Sequence, residues 1–154
     1  MSGASGSGKS SLVKAGIVPR LMKPQRISGL AFLRRSVFRP GGQGTDVILG
    51  LARALTRASG PDIGLSELIA QGQDTSQLAA HLRGAVGESG YPFANALSRL
   101  TQAGRQDGRL LALEDAKLIL VVDQLEELFP GIGAEERQLF IQLLAGLALV
   151  THRP

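Results

Sequence analysis

The chain has 154 residues, a net charge of +4, 44% hydrophobic and 4% aromatic residues, and no cysteine. That length admits one domain with a buried core, and the lack of cysteine excludes a disulfide framework and thiolate metal sites such as structural zinc, which fits a reducing, cytoplasmic setting. The arginines are scattered without a dense run and stacking platforms are scarce, so nucleic acid is not an expected partner.

The chain opens on Gly3-Ala4-Ser5-Gly6-Ser7-Gly8-Lys9-Ser10, which fits the G-x-x-x-x-G-K-[ST] pattern of a phosphate-binding loop. Glycines let successive backbone N–H groups turn inward around a phosphate, forming an anion cup. In that role Lys9 reaches the β- and γ-phosphate oxygens, and Ser10 offers its hydroxyl to Mg²⁺. The helix beginning there directs its positive end at the nucleotide. The contact set expected for the nucleotide is Gly3, Ser5, Gly6, Ser7, Gly8, Lys9, Ser10 and Ser11. A flexible Gly/Ser linker is the competing reading of 1–7, but Leu12, Val13, Ile17 and Val18 supply an apolar stripe at helical spacing directly afterwards. This first helix is expected to end near 19–24. A phosphate loop should leave the end of a buried strand, and only Met1 and Ser2 precede Gly3, so the chain reads as a fragment without its first strand.

In the stretch 29–40 the second half reads as a strand, with Val37 and Phe38 as strand formers and Pro40-Gly41-Gly42 as its stop. Arg39 at its end is a candidate for the nucleotide edge, against the commoner reading of an arginine beside Pro-Gly as a solvated turn residue. Gly41-Gly42-Gln43 lacks the context of a transport-ATPase signature and is set aside. Thr45-Asp46 can cap a helix with apolar positions Val47, Ile48, Leu51, Ala54 and Leu55, stopping at Ser59-Gly60-Pro61. From about 60 to 110 short apolar clusters alternate with glycines, which predicts a helical insertion between sheet elements. His81 and His152 have no partner at metal-ligand spacing and read as surface residues.

Residues 117–123, Lys-Leu-Ile-Leu-Val-Val-Asp, form a continuous apolar run ending in an acid, as suits a fully buried parallel strand. Asp123 then stands at the carboxyl edge of the sheet, where open α/β folds bind ligands. Its chemistry is that of the Walker B position, holding Mg²⁺ through water opposite Ser10. Asp123-x-x-Glu126 also satisfies a capping box, and the two roles are compatible. Gln124 occupies the place where many ATP hydrolases carry the water-orienting glutamate. Glu126 and Glu127 are the substitutes, of which only one can face the nucleotide, and the reading leans to Glu126. Both glutamates also suit a helix N-terminus through its dipole. The chain closes on a helix over about 134–150, with Leu139, Phe140, Leu143, Leu144 and Leu147 on a broad face that should pack on the sheet. The longest apolar run, near 139–150, is interrupted by Gln142 and is shorter than the roughly 20 residues of a membrane span. The N-terminus lacks a secretory signal pattern, so no membrane is expected.

Taken together, the block from Gly3 to Leu21, Arg39-Pro40-Gly41, and Leu118 to Phe129 with its Asp-Gln-x-Glu-Glu-Leu-Phe core resemble the novel STAND NTPase domain. These are P-loop signal-transduction ATPases related to the AAA+ group, often found ahead of WD repeats in bacterial proteins. The resemblance implies an α/β fold, the three-layer αβα sandwich of P-loop NTPases, here incomplete and forming one partial domain over 1–154. It implies catalytic roles for Lys9, Glu126 and Glu127, metal contacts from Ser10 and Asp123, and ATP with Mg²⁺ as cofactors, GTP not being excluded. The implied activity is a nucleotide-dependent switch with slow hydrolysis, C-terminal sensor repeats and self-association. The chain departs from the family in three ways: the first strand is absent, Leu125 stands where phenylalanine is usual, and the chain ends before the next strand. Two absent strands would leave both edges of the Walker B strand open. The rival readings are a non-catalytic interaction or scaffold domain that retains the fold, favoured by Gln124, and, more remotely, a small-molecule kinase.

Overall fold

Two strands form the centre of the chain: β1 (Leu30–Phe38) and β2 (Asp115–Val122) pair in parallel, with Arg34 opposite Leu118, Ser36 opposite Leu120 and Phe38 opposite Val122. This is a computed structural model that describes residues 8–23, 30–43, 46–69, 73–84, 90–111 and 115–150. A parallel pair cannot be closed by a hairpin and needs a long crossover, here supplied by all the helices between the strands. β1 takes in the whole of Leu30–Phe38 rather than the second half of its segment. Pairing with β1 covers one edge of β2, so the expectation of two open edges is corrected. The reason is topological: the crossover returns the chain beside the strand it left.

The first helical run, α1, covers 9–21 in three pieces: an α turn at Lys9–Ser11, a π-helical stretch at Leu12–Ile17 and an α turn at Val18–Leu21. The expected apolar stripe is not buried as a unit. Val18 is buried, whereas Leu12 is 50% and Ile17 40% exposed. A π-helix bonds i to i+5, as the Val18 N–H does to the Val13 carbonyl, so positions spaced for 3.6 residues per turn no longer fall on one line.

Helix α2 (Val47–Leu55) lies at the heart of the core, with Val47, Ile48, Leu51, Ala52 and Leu55 fully buried. Asp46 caps it by accepting the Leu49 N–H at 2.8 Å, as expected from the sequence. The helix stops at Leu55, earlier than the Ser59-Gly60-Pro61 signal. The chain then doubles back, and the Leu65 N–H donates to the Leu55 carbonyl at 2.5 Å. That approach requires glycine at 64, because a Cβ there would collide with the Leu55 carbonyl. α2 is fastened to β1 by the buried Ser36 hydroxyl, which donates to the Ala54 carbonyl at 2.9 Å.

The helical insertion consists of a short 3-10 turn (Ser66–Leu68), α3 (Thr75–Gly84) and α4 (Gly90–Gln106). α3 starts with a reciprocal capping pair: the Gln77 N–H donates to Asp74 at 2.8 Å and the Asp74 N–H to the Gln77 side chain at 3.0 Å. His81 is exposed on α3. α4 meets β2 where the Ala116 N–H donates to the buried Thr101 hydroxyl oxygen at 2.9 Å. The last helix, α5 (Ala134–Val150), packs against α2 and α4. It reaches the sheet through Phe140, whose ring lies 5.6 Å from that of Phe38.

The core gathers on the sheet face that carries Phe38, Ala116, Leu118, Leu120 and Val122. β2 is half-buried along 118–122 rather than fully buried as its apolar run suggested. The described residues give two parallel strands and five helices, compatible with part of an α/β NTPase fold, and they do not build the full three-layer sandwich.

Candidate nucleotide site

The site grows from the ends of the two strands. In the parallel register Phe38 faces Val122, so Arg39 and Asp123 are the next residues out on adjacent strands. The Asp123 N–H donates to the Phe38 carbonyl at 2.8 Å and extends the ladder by one bond. This holds the Asp123 backbone at the carboxyl edge, with the residue only 6% exposed.

Three donors converge on its carboxylate. The Ser10 hydroxyl donates to Oδ1 at 2.5 Å, Lys14 Nζ to Oδ2 at 2.5 Å, and Arg39 Nη2 to Oδ2 at 3.2 Å. Ser10 and Lys14 are four residues apart on α1, close to one turn of a run that widens to the π form at Leu12, so a single element delivers both. Burial by itself raises the carboxyl pKa, but the hydrogen bonds from Lys14, Ser10 and Arg39 and the Lys14 charge outweigh it, bringing the value from 3.8 down to about 2. Asp123 is therefore a carboxylate at neutral pH.

Gly8 enters the helix with φ of 76°, a left-handed backbone that favours glycine, and its carbonyl accepts the Leu12 N–H at 2.8 Å. Lys9 opens the helical run and Ser11 follows, exposed, in its first turn. Gly3, Ser5, Gly6 and Ser7 lie outside the described residues, as do the Lys9 side chain and His152.

Past Asp123 the chain makes a 3-10 turn, Leu125–Leu128. The capping residue of this turn is Gln124, without a side-chain cap bond, so the Asp123–Glu126 capping box does not form. The Asp123 side chain is committed to Ser10, Lys14 and Arg39 instead. Gln124 has φ of 55°, the one described non-glycine residue with a positive φ, and its buried Oε1 has no hydrogen-bond partner among the described residues. Glu126 is exposed. Glu127 turns to the end of β1, where its Oε2 accepts the Gly41 N–H at 3.1 Å. Gly41 is tightly fitted there: a Cβ would stand 2.5 Å from Glu127 Oε2 and 3.0 Å from Glu127 Cβ. The structure thus brings Glu127, not Glu126, against the Pro40-Gly41 turn.

No group of three His, Cys, Asp or Glu side chains that could hold a metal occurs among the described residues. Ser10 Oγ and Asp123 are hard oxygen donors from segments 113 positions apart. That pair fits Mg²⁺, which keeps several waters and takes one or two carboxylates together with substrate phosphates. Lys14 was missed at the sequence level, and Arg39 was discounted as a turn residue. The signals that point to them are the i, i+4 spacing from Ser10 and the equal position of Arg39 and Asp123 just past their strands.

The sequence matches the family model described as Novel STAND NTPase 1 over residues 1–153. No curated protein and no solved structure matches the chain. Among the described residues, no helix is long and apolar enough to cross a membrane.

Proposed function

The chain belongs to the Novel STAND NTPase 1 family, a nucleotide-binding signalling module, and from that premise we propose that it binds Mg-ATP at the 3–10 loop and the carboxyl edge of β1 and β2. The observation that carries this reading is the meeting of the Ser10 hydroxyl and the Asp123 carboxylate at 2.5 Å. The hydroxyl and the carboxylate that would hold the metal of a bound nucleotide already face each other.

In this reading the N–H groups of 3–8 cradle the phosphates and Lys9 offsets the charge on the β- and γ-phosphoryl oxygens. Ser10 and Asp123 would hold the metal through their oxygens. Mg²⁺, when bound, neutralises developing charge on the phosphates. Glu127 is better placed than Glu126 to orient a water, since its carboxylate is anchored at the Pro40-Gly41 turn by the Gly41 amide, whereas Glu126 is exposed. Gln124, a neutral side chain next to Asp123, fits slow turnover and a switch governed by nucleotide state. Sensor repeats beyond the domain and self-association would read out that state. GTP in place of ATP is consistent with the same residues, because none of them reads the base.

A scaffold domain that binds without hydrolysis is the second reading, and Gln124 favours it. Equilibrium binding of a fluorescent ATP analogue with Mg²⁺, beside Lys9→Ala, tests the first. Saturable, Mg²⁺-dependent binding lost in the variant is the expected result, and no binding by the parent chain would overturn the proposal. Hydrolysis abolished by Asp123→Ala would exclude the scaffold reading.

A further inference from the structure

The carboxylate assigned to the metal is also the partner of two cations. Oδ2 of Asp123 takes both the Lys14 ammonium at 2.5 Å and the Arg39 guanidinium at 3.2 Å, while Oδ1 takes the Ser10 hydroxyl. A carboxylate offers about four lone-pair positions, and three are engaged by protein donors. A divalent cation that approaches through Asp123 and Ser10 meets the Lys14 charge at close range. Like charges a few ångströms apart beside a buried carboxylate repel, even where water partly screens one of them. Lys14 can leave: its side chain is 37% exposed, against 5% for Asp123, and its long stem reaches solvent.

We infer that Lys14 is an internal counter-cation of Asp123 that competes with the divalent metal, so that it sets how much metal the site requires. The inference rests on the metal site of the proposed function and adds a residue to it. Arg39 is a weaker competitor. Its bond is longer and its side chain is 52% exposed, so water screens more of its charge. Because Ser10 and Lys14 ride on the same helix, release of Lys14 frees the helix face that carries the metal-binding hydroxyl.

The test is Mn²⁺ binding to the full chain without nucleotide, followed by the electron paramagnetic resonance signal of free Mn²⁺. Lys14→Met keeps the length of the stem and removes the charge. Lys14→Gln is the second variant, neutral and still able to donate to Asp123, should the first fail to fold by circular dichroism. Both are expected to bind Mn²⁺ more tightly than the parent chain, by on the order of tenfold for one unit charge removed from a partly screened contact. Adding Asp123→Asn should cancel the gain. A folded Lys14 variant that binds Mn²⁺ no more tightly than the parent, or a gain that persists with Asp123→Asn, would overturn the inference. Because no nucleotide is present, loss of ATP-analogue binding in the companion experiment would strike the proposed function and leave the Mn²⁺ result to judge Lys14 separately.

Discussion

Replacing Asp123 by asparagine keeps the shape of the side chain and an acceptor for Ser10 but removes the charge that Lys14 and Arg39 face. The folded carboxyl sits at about 2 against 3.8 for the free group, a difference just under two units. At about 1.4 kcal/mol per unit this is about 2 kcal/mol of stability at neutral pH. The value stays below the 3–5 kcal/mol typical of a broken buried ion pair, because Lys14 and Arg39, 37% and 52% exposed, can rehydrate. The sign follows from a depressed folded pKa: the contribution is complete above the unfolded value and is lost as pH falls through the folded one. It should be roughly halved near pH 3 and nearly gone near pH 2. Urea unfolding of parent and variant, followed by circular dichroism at about pH 7 and again near pH 2, measures it. With a slope of about 2 kcal/mol per molar urea, the variant midpoint should fall by about 1 M at neutral pH and the two curves should converge in acid. Coincident curves at neutral pH, or a gap that survives in acid, would refute the assignment of Asp123 as a charge-paired carboxylate.

Other predictions concern the frame around the site. Gly41→Ala places a methyl 2.5 Å from Glu127 Oε2, so Glu127 must turn away and its bond from the Gly41 amide is lost; a cost of about 1 kcal/mol is expected in urea unfolding, and an unchanged midpoint would show that Glu127 is not anchored there. Phe140→Ala removes a fully buried ring that lies against Phe38 and should cost about 3–5 kcal/mol by the same measurement. A loss below about 1 kcal/mol would show that α5 does not seal the strand end beneath Arg39 and Asp123.

The patterns from which the candidate site is proposed are legible because they are local. A phosphate loop needs glycines and a Lys-Ser pair in fixed order, and an acid at the end of an apolar strand needs only its neighbours to be recognised. Asp46 as a helix cap, α2 itself, the helical insertion and α5 were likewise readable from short-range spacing. Other features were not. Glu126 and Glu127 are adjacent on a turn, and the choice between them depends on Gly41, 86 positions away from Glu127. The apolar stripe of α1 failed as a guide because a periodicity argument assumes 3.6 residues per turn and Leu12–Ile17 is a π-helix.

The amino-acid sequence by itself determined the local patterns on which the proposal rests: a Gly-rich run ending in Lys9-Ser10 and an acid, Asp123, at the end of an apolar run, each specified by residues a few positions apart. The tertiary structure decided which charges meet. Lys14, Arg39 and Ser10 share one carboxylate because parallel pairing of β1 and β2 sets Arg39 beside Asp123, and because α1 lays two side chains four residues apart over the same edge. Such contacts join segments 84 to 113 positions apart. No local pattern encodes them, since they follow from strand register and helix placement, which are settled only when the core closes.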